Sequence, residues 1–129
     1  MSRTLVTALS RHDVPTTVEM LAAALARRQI TLFATIDHGD GARKAGLSLP
    51  DEVVLVFGNP AAGTALMQAD PRAGLDLPLR ILVWSQDGET RVAFRDPHSL
   101  SDDFALTGQT GTLAKLRGVL DQVVAEVTG

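Results

Sequence analysis

The sequence predicts an α+β domain in which a single, antiparallel-rich sheet carries helices packed on one face. Three observations lead there. Short apolar runs rich in Val, Ile and Leu alternate with stretches whose apolar residues recur at helical spacing. Asp87-Gly88 between two such runs is a strong hairpin signal and sets one antiparallel pair. The chain has 129 residues, which suits one domain, residues 1–129, able to bury roughly two thirds of the surface its unfolded form exposes.

The elements follow in order. Arg3 to Leu9 is short, partly β-branched and bounded by Ser10-Arg11-His12-Asp13, which reads as a strand. From Pro15 to Arg28, Val18, Leu21, Ala22 and Leu25 recur at helical spacing; Thr16 with Glu19 forms one possible cap and Asp13 a rival one. Ile30 to Asp37 alternates Ile30, Leu32, Ala34 and Ile36 against Thr31, Phe33 and Thr35, the period of a strand with one face buried. The turn-forming Asp37-His38-Gly39-Asp40-Gly41 follows, then one or two helical turns from Ala42 to Leu47.

Glu52 to Phe57 is apolar on both faces and so belongs inside the sheet rather than at an edge. Asn59 followed by Pro60 is a helix start, with Ala61 to Gln68 as its body and Asp70-Pro71 as its end. Leu77 to Trp84 and Thr90 to Arg95 make the hairpin. Pro97 to Asp103 reads as an acidic, partly helical linker. Thr112 to Val127, capped by Thr110 or Thr112, closes the chain with Leu113, Leu116, Leu120, Val123, Val124 and Val127 on one broad face.

Bulk properties narrow the function. Hydrophobic residues make up 45% and charged ones 21%, ordinary globular composition. With 12 Lys+Arg against 15 Asp+Glu the formal charge is -3, and Tyr is absent, so neither a basic field nor stacking platforms favour nucleic acid. Zero cysteines remove disulfides, thiolate catalysis and Cys-ligated metal. No run approaches a membrane span, and Met1 to Asp13 lacks the apolar region of a signal peptide, which makes the cytoplasm the expected place and no membrane an expected partner.

Ile36-Asp37-His38, Gly46-Leu47, Val56-Phe57-Gly58-Asn59-Pro60, Gly63-Thr64, Leu66-Met67, Asp76-Leu77-Pro78-Leu79 and Asp96-Pro97 occur in that order. With these pieces the chain resembles the family called domain of unknown function 302, from about Leu5 to Leu106. The resemblance implies a fold like that of the TATA-box-binding protein, β-α-β4-α, here with two short helical insertions, and without DNA binding. It also implies small bacterial and archaeal proteins that associate as homodimers. Ala65 stands where many members carry Pro. The resemblance supplies no reaction.

The candidate site is the strand-to-helix corner Gly58-Asn59-Pro60, with Gly63 and Thr64 one turn further on and His38 beside it if the two strands are neighbours. Backbone N–H groups at a helix start bind anions, and a glycine before them lets a ligand approach the backbone. No Gly-Lys-Ser/Thr ending follows, so this is not a nucleotide P-loop. Capping alone also accounts for Asn59 and Pro60. His38 is a candidate metal ligand or general base, although no second His lies at ligand spacing and a turn histidine explains it as well.

Asp96-Pro97-His98 and His12-Asp13 read as helix caps beside histidines, Asp70 as the cap of a turn with Arg72 as its partner, and Ser99, Ser101 and Thr64 as nucleophiles only if a base lies near. Arg80, Arg91 and Arg95 are placed to share one sheet face. Three readings follow. The first is a binding domain for a small anion or a metal-bearing cofactor such as haem, whose identity the residues leave unknown. The second is an interaction module forming a homodimer or hetero-complex. The third is an enzyme with His38 as base and the helix start as oxyanion site.

Overall fold

The computed structural model describes residues 4–128, so Arg3 of the first expected strand lies outside the described residues. Five strands and four helices run in the order β1 (Leu5–Ser10), α1 (Val14–Arg27), β2 (Thr31–Asp37), α2 (His38–Lys44), β3 (Glu52–Gly58), α3 (Pro60–Ala69), β4 (Leu79–Gln86), β5 (Glu89–Arg95) and α4 (Thr110–Thr128). Short 3-10 turns at Pro71–Asp76 and Pro97–Asp102 join the later elements. One antiparallel sheet in the order β1-β5-β4-β3-β2 holds all five strands.

The hairpin forms where the turn residues demand it. Asp87 (φ 53) and Gly88 (φ 79) both take positive φ, the backbone whose twist matches paired strands. Of the two expected caps of α1, Asp13 holds the position: its Oδ1 accepts from Thr16 N at 2.9 Å. The helical turn expected at Ala42 to Leu47 starts earlier, at His38, because the Asp37 carboxylate accepts from Asp40 N at 2.9 Å and caps it there.

The core lies between the sheet and the two long helices. Leu21, Ala24 and Leu25 of α1 and Leu120, Val123 and Val127 of α4 pack on Leu55, Phe57, Ile81, Val83, Val92 and Phe94, all buried. A smaller cluster of Leu66, Ala73, Leu100, Leu106 and Leu113 fills the space between α3 and the start of α4. Arg27 and Arg28 both reach Glu126, joining the two long helices at the surface.

Strand β3 is interior, as its composition requires, but only Val53, Leu55 and Phe57 are buried; its other side chains face the uncovered side of the sheet. β2 departs from expectation. Its alternation suggests one buried face, yet all seven residues are exposed because β2 is the edge strand and the helices do not cover it. Leu32, Phe33 and Ile36 are therefore open to solvent.

Candidate functional site

At the corner, Asn59 is extended (φ -104, ψ 114) and its side chain caps α3. Oδ1 accepts from Ala61 N at 2.9 Å and Ala62 N at 3.4 Å, while Gly63 N donates to Asn59 O at 3.0 Å. Pro60 has no N–H. The amides after it are thus already paired, and the expectation that free donors here receive a small anion is corrected: the asparagine occupies the place the anion would take.

The corner forms one wall of a concavity of about 260 Å³, lined by Gly58, Asn59, Pro60, Gly63 and Thr64 among others. The remaining wall is apolar: Phe33 from β2, Met67 from α3, Leu77 to Leu79 leading into β4, and Leu116 from α4. Missing side chains create the space. A Cβ on Gly58 would stand 3.4 Å from the Phe33 ring and 3.5 Å from Pro78, and one on Gly74 would stand 3.1 Å from Met67 Sδ. Asn59 and Thr64 supply polar groups at an otherwise greasy surface, the usual composition of a small-molecule pocket. The Leu77-Pro78 peptide bond within this wall is cis.

His38 is not part of it. β2 and β3 are neighbours, but antiparallel, so Thr31 pairs with Gly58 and Asp37 with Val53. Some six residues at ~3.3 Å rise put His38 about 20 Å along the sheet from the corner. The expected convergence of His38 with Asn59 and Thr64 is therefore corrected, and with it the reaction scheme using His38 as base for an oxyanion at Gly58. Phe33, brought by the bulge between Leu32 and Ala34, stands where His38 was expected. Among the described residues no group of three or more His, Asp and Glu gathers to hold a metal.

The other acid–histidine neighbours are caps with additions. Asp96 Oδ1 accepts from His98 N at 3.0 Å and meets His98 Nδ1 at 2.7 Å, while Oδ2 accepts from Arg117 Nη1 at 2.6 Å. Burial raises the Asp96 pKa, but the His98 hydrogen bonds and the Arg117 charge outweigh it and leave the carboxyl below its ordinary value. Ser99 Oγ donates to Asp96 O at 2.7 Å, which commits that hydroxyl to the turn. At the far end of the sheet, around His12, Asp51 and Glu89, a polar cleft of about 470 Å³ is larger, but it lacks the apolar lining that removes a ligand from water.

Sequence reasoning missed Phe33, Met67, Gly74 and Leu116 as site residues. Met67 and Leu77 to Leu79 were within reach, since they belong to the pieces that carry the family resemblance and the fold brings those pieces around one concavity.

Fold and site together define a class: an α+β domain of one antiparallel sheet, backed by helices, with an apolar concavity at a strand-to-helix corner. The chain belongs to the family described as domain of unknown function DUF302, whose model matches residues 6–123. A crystal structure of an uncharacterized conserved DUF302 protein from Bacillus stearothermophilus superposes with a TM-score of 0.86 over 98% of this chain and 99% of that one, at 17% identity, and so shares the fold. Two relatives are 44% identical over 124 residues and are both named fluoride-specific ion channel FluC 1. The match takes in 86% of this chain and 48% of the Brucella suis protein, and 86% of this chain and 46% of the Brucella abortus one. The chain thus spans about half the length of these relatives. Among the described residues no helix is long and apolar enough to cross a membrane.

Proposed function

We propose that the domain binds a small, largely apolar molecule in the concavity at the Gly58 corner, with Asn59 and Thr64 meeting its polar edge. The observation that carries this is that five residues singled out from sequence, Gly58, Asn59, Pro60, Gly63 and Thr64, line one concavity whose other wall is Phe33, Met67, Leu77 to Leu79 and Leu116. A volume of about 260 Å³ suits a single ring system or a short acyl chain. The paired amides of α3 argue for an uncharged or weakly polar group there rather than phosphate. The test is titration with the neutral fluorescent probe N-phenyl-1-naphthylamine, beside inorganic phosphate in a thermal-shift assay. Saturable probe binding is expected in the native chain and loss of it in Gly74→Leu, whose side chain competes with Met67 for the space. Probe binding unchanged by Gly74→Leu, or a melting temperature raised by phosphate alone, removes this reading.

A second reading rests on the relatives. Half of each of those two proteins named as fluoride channels is similar to this chain. We infer that the domain works as an extramembrane companion of such a channel. On this reading, deleting the chain from its host lowers the fluoride concentration that arrests growth, and a Gly74→Leu copy restores growth less well than the native one. Equal fluoride tolerance with and without the chain would count against it.

A further inference from the structure

The polar groups of the concavity at the Gly58 corner narrow what it takes. Of the side chains that line it, only Asn59 and Thr64 carry nitrogen or oxygen, and none is ionisable. A carboxylate or ammonium group entering it would leave water without meeting a countercharge, which is costly. The Asn59 amide has one orientation. Ala61 N and Ala62 N donate to the same side-chain atom, at 2.9 and 3.4 Å, and only the oxygen of an amide accepts, so Oδ1 is committed to capping α3. The Asn59 main-chain carbonyl is taken as well, by Gly63 N at 3.0 Å. What the side chain has left is Nδ2, two N–H donors and no acceptor. The Thr64 hydroxyl has no hydrogen-bond partner among the described residues; it rotates to donate or to accept and so does not set the polarity of the site. Pro60 and Pro78, also in the wall, add no N–H.

Resting on the reading that this concavity holds a small apolar molecule, we propose that its ligand is a neutral carbonyl compound, an aldehyde, ketone or ester oxygen on an apolar body, which accepts a hydrogen bond from Asn59 Nδ2. The apolar body lies against Phe33, Met67 and Leu116. A carbonyl oxygen brings two lone pairs and no hydrogen, so it meets the donor that capping leaves over and keeps a lone pair for the Thr64 hydroxyl. A hydrocarbon leaves Nδ2 unpaired, and an alcohol adds an O–H for which Thr64 is the only side-chain oxygen uncommitted. The capping that closes the helix start to an anion is thus what leaves the donor half of the amide available, and it fixes the hydrogen-bond polarity the ligand must have.

Displacement of N-phenyl-1-naphthylamine from the full chain tests it, with acetophenone and α-methylstyrene as competitors, two molecules of one shape in which a methylene replaces the carbonyl oxygen. Because the two differ in their own hydration, the quantity read is the change in each dissociation constant from the native chain to Asn59→Asp. Asp caps a helix as well as Asn does, so this variant keeps the cap oxygen and exchanges the N–H donors for a second oxygen. The acetophenone constant is expected to rise about tenfold and the α-methylstyrene constant by less than about twofold. Should Asn59→Asp fail to fold, Asn59→Ser, which also caps, carries the same expectation at smaller size. Benzoate and benzylammonium, close in size but charged, are expected to leave the probe bound. Equal changes for the two neutral competitors, no change for either, or displacement by benzoate or benzylammonium at the concentration where acetophenone acts overturns the proposal while the ligand reading stands. A native chain that binds neither probe nor competitor removes both.

Discussion

Asp70→Ala is expected to lower the melting temperature by on the order of 10 °C and to loosen one wall of the concavity. The Asp70 side chain is almost fully buried and accepts four hydrogen bonds: from Arg72 N at 3.0 Å, Arg72 Nε at 3.1 Å, Arg72 Nη2 at 2.9 Å and Ala105 N at 2.9 Å. One carboxylate thus ends α3, caps the 3-10 turn that carries Gly74, and ties this turn to the segment entering α4. Removing it breaks all four bonds at once; the exposed guanidinium and the two amides turn to water, and what is lost is the tie between the 3-10 turn and the segment entering α4.

The same group sets an acid response. The Arg72 guanidinium, then the Ala105 and Arg72 amides, hold the Asp70 carboxyl far below its ordinary 3.8. A depressed folded-state pKa stabilises the fold fully above the unfolded value and loses that contribution as pH falls through the folded one. Urea midpoints of native chain and Asp70→Ala should therefore differ by a constant amount from neutrality to about pH 5 and converge below 3.8. A difference that stays constant down to pH 2 would show that packing, not charge, makes the residue matter.

Phe57→Ala is expected to remove about 3–5 kcal/mol of stability. The residue is 2% exposed in the main core, one residue before the corner, with Leu55 two residues back along its own strand and Leu79 directly across on β4. Against a total of about 5–15 kcal/mol that leaves a marginal fold. Denaturant unfolding should show a lower midpoint with an unchanged slope, whereas a small loss, under about 1 kcal/mol, would mean that the core closes over the gap.

Local chemistry made much of this legible. Asp87-Gly88 needs positive φ at both turn positions and has it. Asn59-Pro60 starts a helix because the side chain accepts from two amides and Pro lacks the donor that would go unused. Leu113, Leu120, Val123, Val124 and Val127 are buried as the period of α4 indicates. Asp70 shows the limit: as a cap it could be read from Asp70-Pro71, but its bond to Ala105, 35 residues away, could not.

Two misplacements share a cause. The alternation of Ile30 to Asp37 is real, yet it reports only that two faces differ, and the edge position left both uncovered. His38 and Gly58 end adjacent strands, yet strand direction decides whether two such ends meet, and the antiparallel register sends them to opposite ends of the sheet.

The sequence by itself determined the order of elements, the hairpin turn, the Asn59 cap and the strand-to-helix corner, because each depends on a few neighbouring residues and their backbone preferences. By contrast, α4 begins at Thr110 itself, so neither Thr110 nor Thr112 is the cap expected for it. Tertiary structure alone decided that β2 is an edge, that Phe33 rather than His38 faces Gly58, and that Met67, Gly74 and Leu116 complete the concavity. Those outcomes depend on which surfaces pack together across long separations, and periodicity along a chain records that a side chain is to be covered without recording by what.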